Sequence, residues 1–417
     1  MKQSMLRSGL WCGLVLGWAS VGCAAAPRFA VEAGAVDRTH TPVAVEIALP
    51  AERMDESCCV VSDGQTVPAQ FEPIGDGKAH LWWIISDLPA GRSRTYQLAM
   101  GSACADLAPP VFAWKDSSTS DTKSIDLLYG GRPVLRYVYT PYDARSEETI
   151  EHTKKPFHHV FDPDGSRLIT KGPGGLYPHH RGIFFGHNRI QAEGGPYDLW
   201  HCGHGDHQLH TRTLATWAGP VMGGHVVEIK WNNRNGQTLA TERRRVVAFA
   251  APDGEILIEL STTVEAADAP VVLASSNCHH GGVQFRAAQE VAENDKATRY
   301  LRPERWADLP ADKEAGTNEK TGQVFRDLPW DAILFPLGDR QYTVAYLTDP
   351  ANPGGAEFSE RLYGRFGEYF PWELSKERPM HARYRWWVVA DRPVTRRQVQ
   401  RAYEDLADPP RVELHAD

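Results

Sequence analysis

Two segments of this chain hold most of the side chains that can carry protons, charge or a metal ion. The first reads Pro178-His179-His180-Arg181-Gly182-Ile183-Phe184-Phe185-Gly186-His187, preceded by the glycine-rich approach Lys171-Gly172-Pro173-Gly174-Gly175. Glycines let a backbone turn sharply, and loops built this way commonly display functional side chains. An imidazole titrates near neutral pH, so His180 and His187 are candidate general bases, with Arg181 as a stabiliser of developing negative charge. The two histidines are seven apart and fall on opposite faces of an extended strand unless Gly186 bends it. The structural alternative is a turn of hydrogen-bonded histidines with the arginine paired to a carboxylate. A loop–strand junction carrying His-His-Arg favours the functional reading.

The second segment reads Asp198-Leu199-Trp200-His201-Cys202-Gly203-His204-Gly205-Asp206-His207-Gln208-Leu209-His210, and seven of the 17 histidines lie between His179 and His210. Gly203 and Gly205 argue against a helix. A loop could gather His179, His201 and His207, or His187 among them, around a divalent zinc, copper or iron ion with Asp198 or Asp206 as carboxylate ligand. The spacing matches no zincin motif, and a supporting or surface role suits His204 and His210 better.

Three further groups are candidates for the same pocket. Asn277-Cys278-His279-His280-Gly281-Gly282-Val283-Gln284-Phe285-Arg286 supplies His279 for substrate contact and Arg286 for charge. Arg361-Leu362-Tyr363-Gly364-Arg365 supplies Tyr363 as a general acid and Arg361 as a binding cation. Trp200, Trp306, Trp330 and Trp372 are candidates for stacking on sugar rings, although a tryptophan taken alone is more often core. Arg302, Arg305, Arg361 and Arg365 have the bidentate geometry that suits carboxylate or sulfate, against the plainer alternative of structural ion pairs. No Gly-x-Ser-x-Gly elbow, Walker A loop or CxxC pair is present, and neither Gly-Gly pair forms a dinucleotide fingerprint.

The elements that must position these residues are strands. Val43, Val45, Ile47 and Leu49 alternate at period two, and further strand-like runs cover Leu81 to Ile85, Val134 to Tyr139, His225 to Trp231, Arg244 to Ala250, Glu255 to Val264, Tyr342 to Leu347 and Tyr384 to Val389. The expectation is an all-β protein: a small N-terminal β-sandwich accessory module over 27–105, then a large supersandwich or jelly-roll-like β-sandwich domain over 111–408. Thr395 with Gln398 forms a capping box for one C-terminal helix, whose Val399, Ala402, Tyr403 and Leu406 share a face. Residues 308–324 read as an exposed loop.

The chain has 417 residues, 42% hydrophobic and 24% charged, which excludes disordered, collagen-like and coiled-coil classes. Lys2 and Arg7 precede an apolar run from Leu10 to Ala19, so residues 1–25 read as an export signal. Cys23 offers a lipid anchor as one alternative to a free periplasmic or secreted product. No stretch reaches the ~20 apolar residues of a membrane span. Removing Lys2 and Arg7 from 45 basic residues against 53 acidic ones leaves a net charge near −10, a poor match to nucleic acid. In an oxidising compartment, Cys58 or Cys59 is a candidate partner for Cys104, and Cys202 with Cys278 is a candidate bridge between two site loops.

The His-His-Arg-Gly segment and Asp198-Leu199-Trp200-His201 resemble a secreted bacterial family often labelled methane oxygenase PmoA-like. Its Gly-Gly-x-Gln-Phe-Arg and Arg-Leu-Tyr-Gly-Arg-Phe segments are matched here at 281–286 and 361–366. The resemblance covers roughly residues 112–390 and leaves the N-terminal module outside. It implies a β-sandwich protein from bacteria rich in polysaccharide degradation. The leading expectation is an exported enzyme that cleaves or modifies a poly- or oligosaccharide, as a lyase or hydrolase. Its residues are His180 and His187 as bases, Arg181 and Arg286 as charge stabilisers, Tyr363 as acid, and Trp200, His279, Arg361 and Trp372 in binding. A metal-dependent oxygenase or hydrolase and a non-catalytic carbohydrate-binding protein are the alternatives.

Overall fold

The structure, a computed structural model, describes residues 26–104, 107–315 and 325–415. The expected export leader and Cys23 lie outside the described residues, as does the 316–324 part of the expected loop. The alternating runs form strands as their period requires: Val43 and Ile47 in Arg38–Ala48, and Leu81, Trp83 and Ile85 in Lys78–Leu88, are buried, while intervening residues reach solvent. Seven antiparallel strands make one N-terminal sheet, and its outermost strands, Arg38–Ala48 and Arg411–His415, come into contact. The sheet thus curls round a core containing Phe29, Val60, Phe71, Trp83 and Tyr96. Arg411–His415 follows the C-terminal helix and returns to pair with Arg28–Glu32, so this late strand joins the N-terminal sheet.

The rest is a large β-sandwich. One wall is an eight-stranded antiparallel sheet running from His207–Ala218 through Met380–Ala390 to Arg299–Leu301. The other has nine strands, with Glu357–Arg361, Arg365–Tyr369, Gly281–Arg286, Ile183–His187 and Phe157–Val160 adjacent in that order. Ile183, Phe185 and Phe285 of the nine-stranded wall meet Ile229, Trp231 and Ile258 of the other in one core. The opposite face of the nine-stranded wall carries Phe157 and Phe184 and supports the loops described below.

Arg396–Ala407 is the expected helix, with Thr395 and Gln398 making the reciprocal capping box. Val399 and Leu406 pack on Trp330, Ala345 and Leu347, over the face of the eight-stranded sheet. Arg38 of the N-terminal module donates to the carbonyls of Glu404 and Asp408 and ion-pairs with Asp405. These bonds fix the two parts together at the C-terminal end of the helix.

Cys59–Cys104 is a disulfide. The bridge expected between Cys202 and Cys278 does not form. Cys202 Sγ instead donates to the Leu199 carbonyl, and Cys278 lies against its own neighbour His279. Among the described residues, no helix is long and apolar enough to cross a membrane.

Candidate functional site

Three loops and one hairpin turn converge on the outer face of the nine-stranded sheet. The first loop, 171–182, enters the Ile183–His187 strand through Gly182 at φ +40, where a side chain would collide with the His158 carbonyl. It delivers His179 and His180. The second, 198–202, lies directly on Gly186, because a Cβ there would strike the Leu199 carbonyl. Its backbone is anchored by Leu199 N donating to His187 O at 2.9 Å. Asp198 Oδ1 accepts the N–H groups of Trp200 and His201 at 3.0 and 2.8 Å, an Asx turn that presents the His201 ring. The third loop, 277–280, brings His279 and His280 to the start of the Gly281–Arg286 strand. Tyr363 comes from the turn between Glu357–Arg361 and Arg365–Tyr369, where Gly364 has φ +90.

These pieces place a row of rings across the sheet. His201 and His280 are 5.4 Å apart by ring centroid, His201 and His179 4.4 Å, and His179 and His180 4.2 Å. His180 then lies nearly parallel to Tyr363 at 6.1 Å, and Tyr177 leans on both. Tyr177 is 44% exposed and forms the open rim with Leu176. Beneath the row, Trp200 is fully buried against His180 and Phe184. It is a floor, and its faces do not reach solvent.

The electrostatics are lopsided toward positive charge. His201 Nδ1 donates to Asp198 Oδ2 at 2.7 Å, which leaves Nε2 as the free acceptor. Burial, reinforced by His201 and Arg365, pushes His280 down to about 4. Burial also holds His180 well below the usual imidazole range, with His179 and Arg365 adding to it. His179 is depressed likewise by burial and by Lys155. These three imidazoles are therefore neutral at pH 7. Arg365 Nε donates to Tyr363 Oη at 3.3 Å, so charge arising on the phenol oxygen meets a guanidinium.

The structure thus brings together His179, His180, His201, Trp200, Arg286 and Tyr363, with His279 alongside through its Nδ1 bond to Ser359 Oγ. It separates the others. His187 points to the opposite face, among Phe185, Trp231 and Tyr369 in the inter-sheet core, and Gly186 does not bend the strand enough to turn it. His207 is stacked on Tyr142 at 3.8 Å and held between Gly205 O and Asn232, away from His179 and His201. Asp206 is committed to Arg234. Arg181 is fully buried and clamped to Glu151 by its side chain and carbonyl, the ion-pair alternative noted from sequence. Arg361 pairs with Glu314 at 3.6 Å, and Arg378 occupies a face of the Trp372 ring. Trp330 is buried on Gln400, and Arg302 grips Glu360.

Sequence reasoning missed Lys155 and Lys171, both buried here. Lys171 Nζ donates only to the carbonyls of Gly172, Tyr177 and His180, and Lys155 Nζ to that of Trp200. Lys171 stands inside the quoted glycine-rich approach, but no local pattern marks a lysine as buried. Among the described residues, no three His, Cys, Asp or Glu side chains are grouped as a metal site.

The sequence model of a family described as a family of unknown function, DUF6807, matches residues 124–404, which takes in every part of this cluster. No curated protein matches the chain. Among solved structures, the chain is similar to the GalM/aldose epimerase homologue from C. elegans at 8% identity, over 68% of this chain and 100% of that one, with a TM-score of 0.30.

Proposed function

The chain belongs to the DUF6807 family of unknown function, and from that premise we propose that it is an exported carbohydrate-active enzyme that moves protons on a glycan. Export is supported by the leader-like first 25 residues and by the Cys59–Cys104 disulfide, which suits an oxidising compartment. The observation that carries the catalytic reading is the row running from Asp198-held His201, through His179 and His180, to Tyr363 with Arg365 on its hydroxyl. An imidazole oriented by a carboxylate closes one end of this row and a phenol stands at the other as acid. The exposed Tyr177 face offers a sugar ring the apolar platform that buried Trp200 does not.

Hydrolysis by two carboxylates has less support. The acids nearest the cluster are already engaged, Asp198 by His201 and Glu151 by Arg181 and Lys154.

The test is a panel of neutral and acidic oligosaccharides incubated with the full protein, with new reducing ends as the readout. Wild type is expected to turn over at least one member, and His201→Ala and Tyr363→Phe each to reduce that turnover by about 100-fold or more. Binding without any new reducing ends would make the protein a carbohydrate-binding module. Loss of turnover on chelation would move the chemistry to a metal.

A further inference from the structure

Arg286 ends the Gly281–Arg286 strand directly opposite Arg365 on the neighbouring strand. Its Nη1 donates to the carbonyls of Ala287 and Tyr363. Its Nε and Nη2 are fully buried and have no hydrogen-bond partner. Those two atoms form one edge of the planar guanidinium, the edge that grips a carboxylate side-on. Elsewhere in this molecule the same edge does so: Arg136 holds Asp126 at 2.7 and 2.9 Å, Arg244 holds Glu242 at 2.7 and 2.9 Å, and Arg302 holds Glu360 at 2.8 and 2.6 Å.

The neighbours of Arg286 do not supply the missing anion. Arg365 donates to Gln284 Oε1, Ser359 Oγ and Tyr363 Oη, all neutral. Lys171 and Lys155 donate only to carbonyls. Among the described residues, none of these four buried cations has a carboxylate within ion-pair distance, whereas Arg181 close by has Glu151. Burying a cation without a counter-charge is costly, and buried charges are ordinarily paired. The strain is visible in the acidities: burial pushes Arg286 down to about 10, Lys155 to about 8 and Lys171 to about 7.

Resting on the proton-transfer reading above, we infer that the Nε/Nη2 edge of Arg286, backed by Arg365, is the subsite for the carboxylate of an acidic sugar, and that the substrate is a uronate-bearing glycan. The Tyr363 ring lies over the guanidinium, 5.0 Å from ring centroid to the guanidinium carbon, so it must turn aside to admit the carboxylate. The reaction this favours is β-elimination. The proton leaves C5 for the imidazole row at His180, the ring that faces Tyr363, and the electron pair left behind forms a C4=C5 double bond. The C4–O bond breaks, and the departing oxygen takes the phenolic proton of Tyr363. Negative charge that builds on the C6 carboxylate during proton loss is met by Arg286 and Arg365.

The test is calorimetric binding on the full protein with three probes: galacturonate oligosaccharides, uncharged galactose oligosaccharides of equal length, and sulfated galactose oligosaccharides. Wild type is expected to bind the galacturonates at least tenfold more tightly than the uncharged set. Arg286→Lys keeps the charge but lacks the fork, and is expected to lose that preference. Equal binding of charged and uncharged probes by wild type overturns the inference even if the variant fails to fold. Retained preference in a folded Arg286→Lys protein overturns it too, and tighter binding of the sulfated probe overturns the choice of carboxylate. Uronate preference without turnover would sink the catalytic reading and leave the subsite standing. Turnover of uncharged glycans alone would do the reverse.

Discussion

Asp198 Oδ2 lies 2.7 Å from His201 Nδ1, while Oδ1 of the same carboxylate ties down the backbone N–H of His201. One side chain therefore sets both the ring's position and its tautomer. Burial, the largest single influence, would raise the Asp198 pKa, but the His201 side chain and the backbone N–H groups of His201 and Trp200 together outweigh it, and the acid sits below its usual range. The carboxylate is thus ionised throughout the neutral region, and the His201 ring has its orienting partner at any pH where an enzyme of this kind would work.

Asp198→Asn keeps an oxygen for the turn but can donate to Nδ1 and so reverse the tautomer. Turnover is expected to fall by about 100-fold or more while glycan binding stays within a few fold. Steady-state rates beside binding constants check this. Turnover at the wild-type level in the variant would detach His201 from the chemistry.

His187 provides the converse case. Both its ring nitrogens are buried without a hydrogen-bond partner, in a pocket of Phe185, Trp231 and Tyr369. Replacing an unpaired polar ring by an apolar side chain of similar size removes a desolvation cost. His187→Leu is expected to leave turnover within about twofold and the melting temperature equal or higher. A large loss of turnover in a folded His187→Leu protein would return that residue to the site.

Gly186→Ala should act on the site from below. The added methyl would push into the Leu199 carbonyl and lift the 198–202 turn from the sheet. The expectation is a folded protein, by circular dichroism, whose turnover falls at least tenfold because His201 and Trp200 are displaced. Unchanged turnover would mean the turn can shift without consequence.

Acid should destabilise the fold earlier than carboxylate titration explains. Burial holds His159, His187 and His225 down to about 3 and His280 to about 4, against about 6.5 for an unfolded imidazole. Between about pH 6.5 and pH 4 the unfolded chain therefore binds protons that the folded one does not. Stability must fall as pH falls through that window, by up to about 1.4 kcal/mol per pH unit for each such histidine. Urea unfolding at pH 7.5 and pH 5.0 measures it. Equal or greater stability at pH 5.0 would contradict the burial of these rings in neutral form.

Much of the scaffold was legible because period-two alternation and a capping box are local signals. The strands through Val43, Leu81, Ile258 and Val388 and the helix capped by Thr395 follow from them. Arg411–His415 escaped notice because its residues are mostly exposed, and backbone pairing to Arg28–Glu32 leaves little hydrophobic pattern to read. At the site, residue types pointed to His179, His180, His201, Arg286 and Tyr363, but partners did not. Strand parity placed His187 away from His180 before any fold was known. Nothing local distinguishes Arg181, which meets Glu151, from Arg286, which meets no acid, because only the tertiary fold decides which guanidinium finds a carboxylate. The burial of Lys155 and Lys171 is hidden for the same reason.

The central claim, removal of a sugar proton by the histidine row and donation of one by Tyr363, is tested most directly by ultraviolet absorbance during incubation with a polygalacturonate. The claim predicts that wild type generates the conjugated C4=C5 chromophore along with new reducing ends, and that His201→Ala and Tyr363→Phe lose both while Arg286-dependent binding persists. Reducing ends without the chromophore, or a chromophore that survives both substitutions, would contradict it.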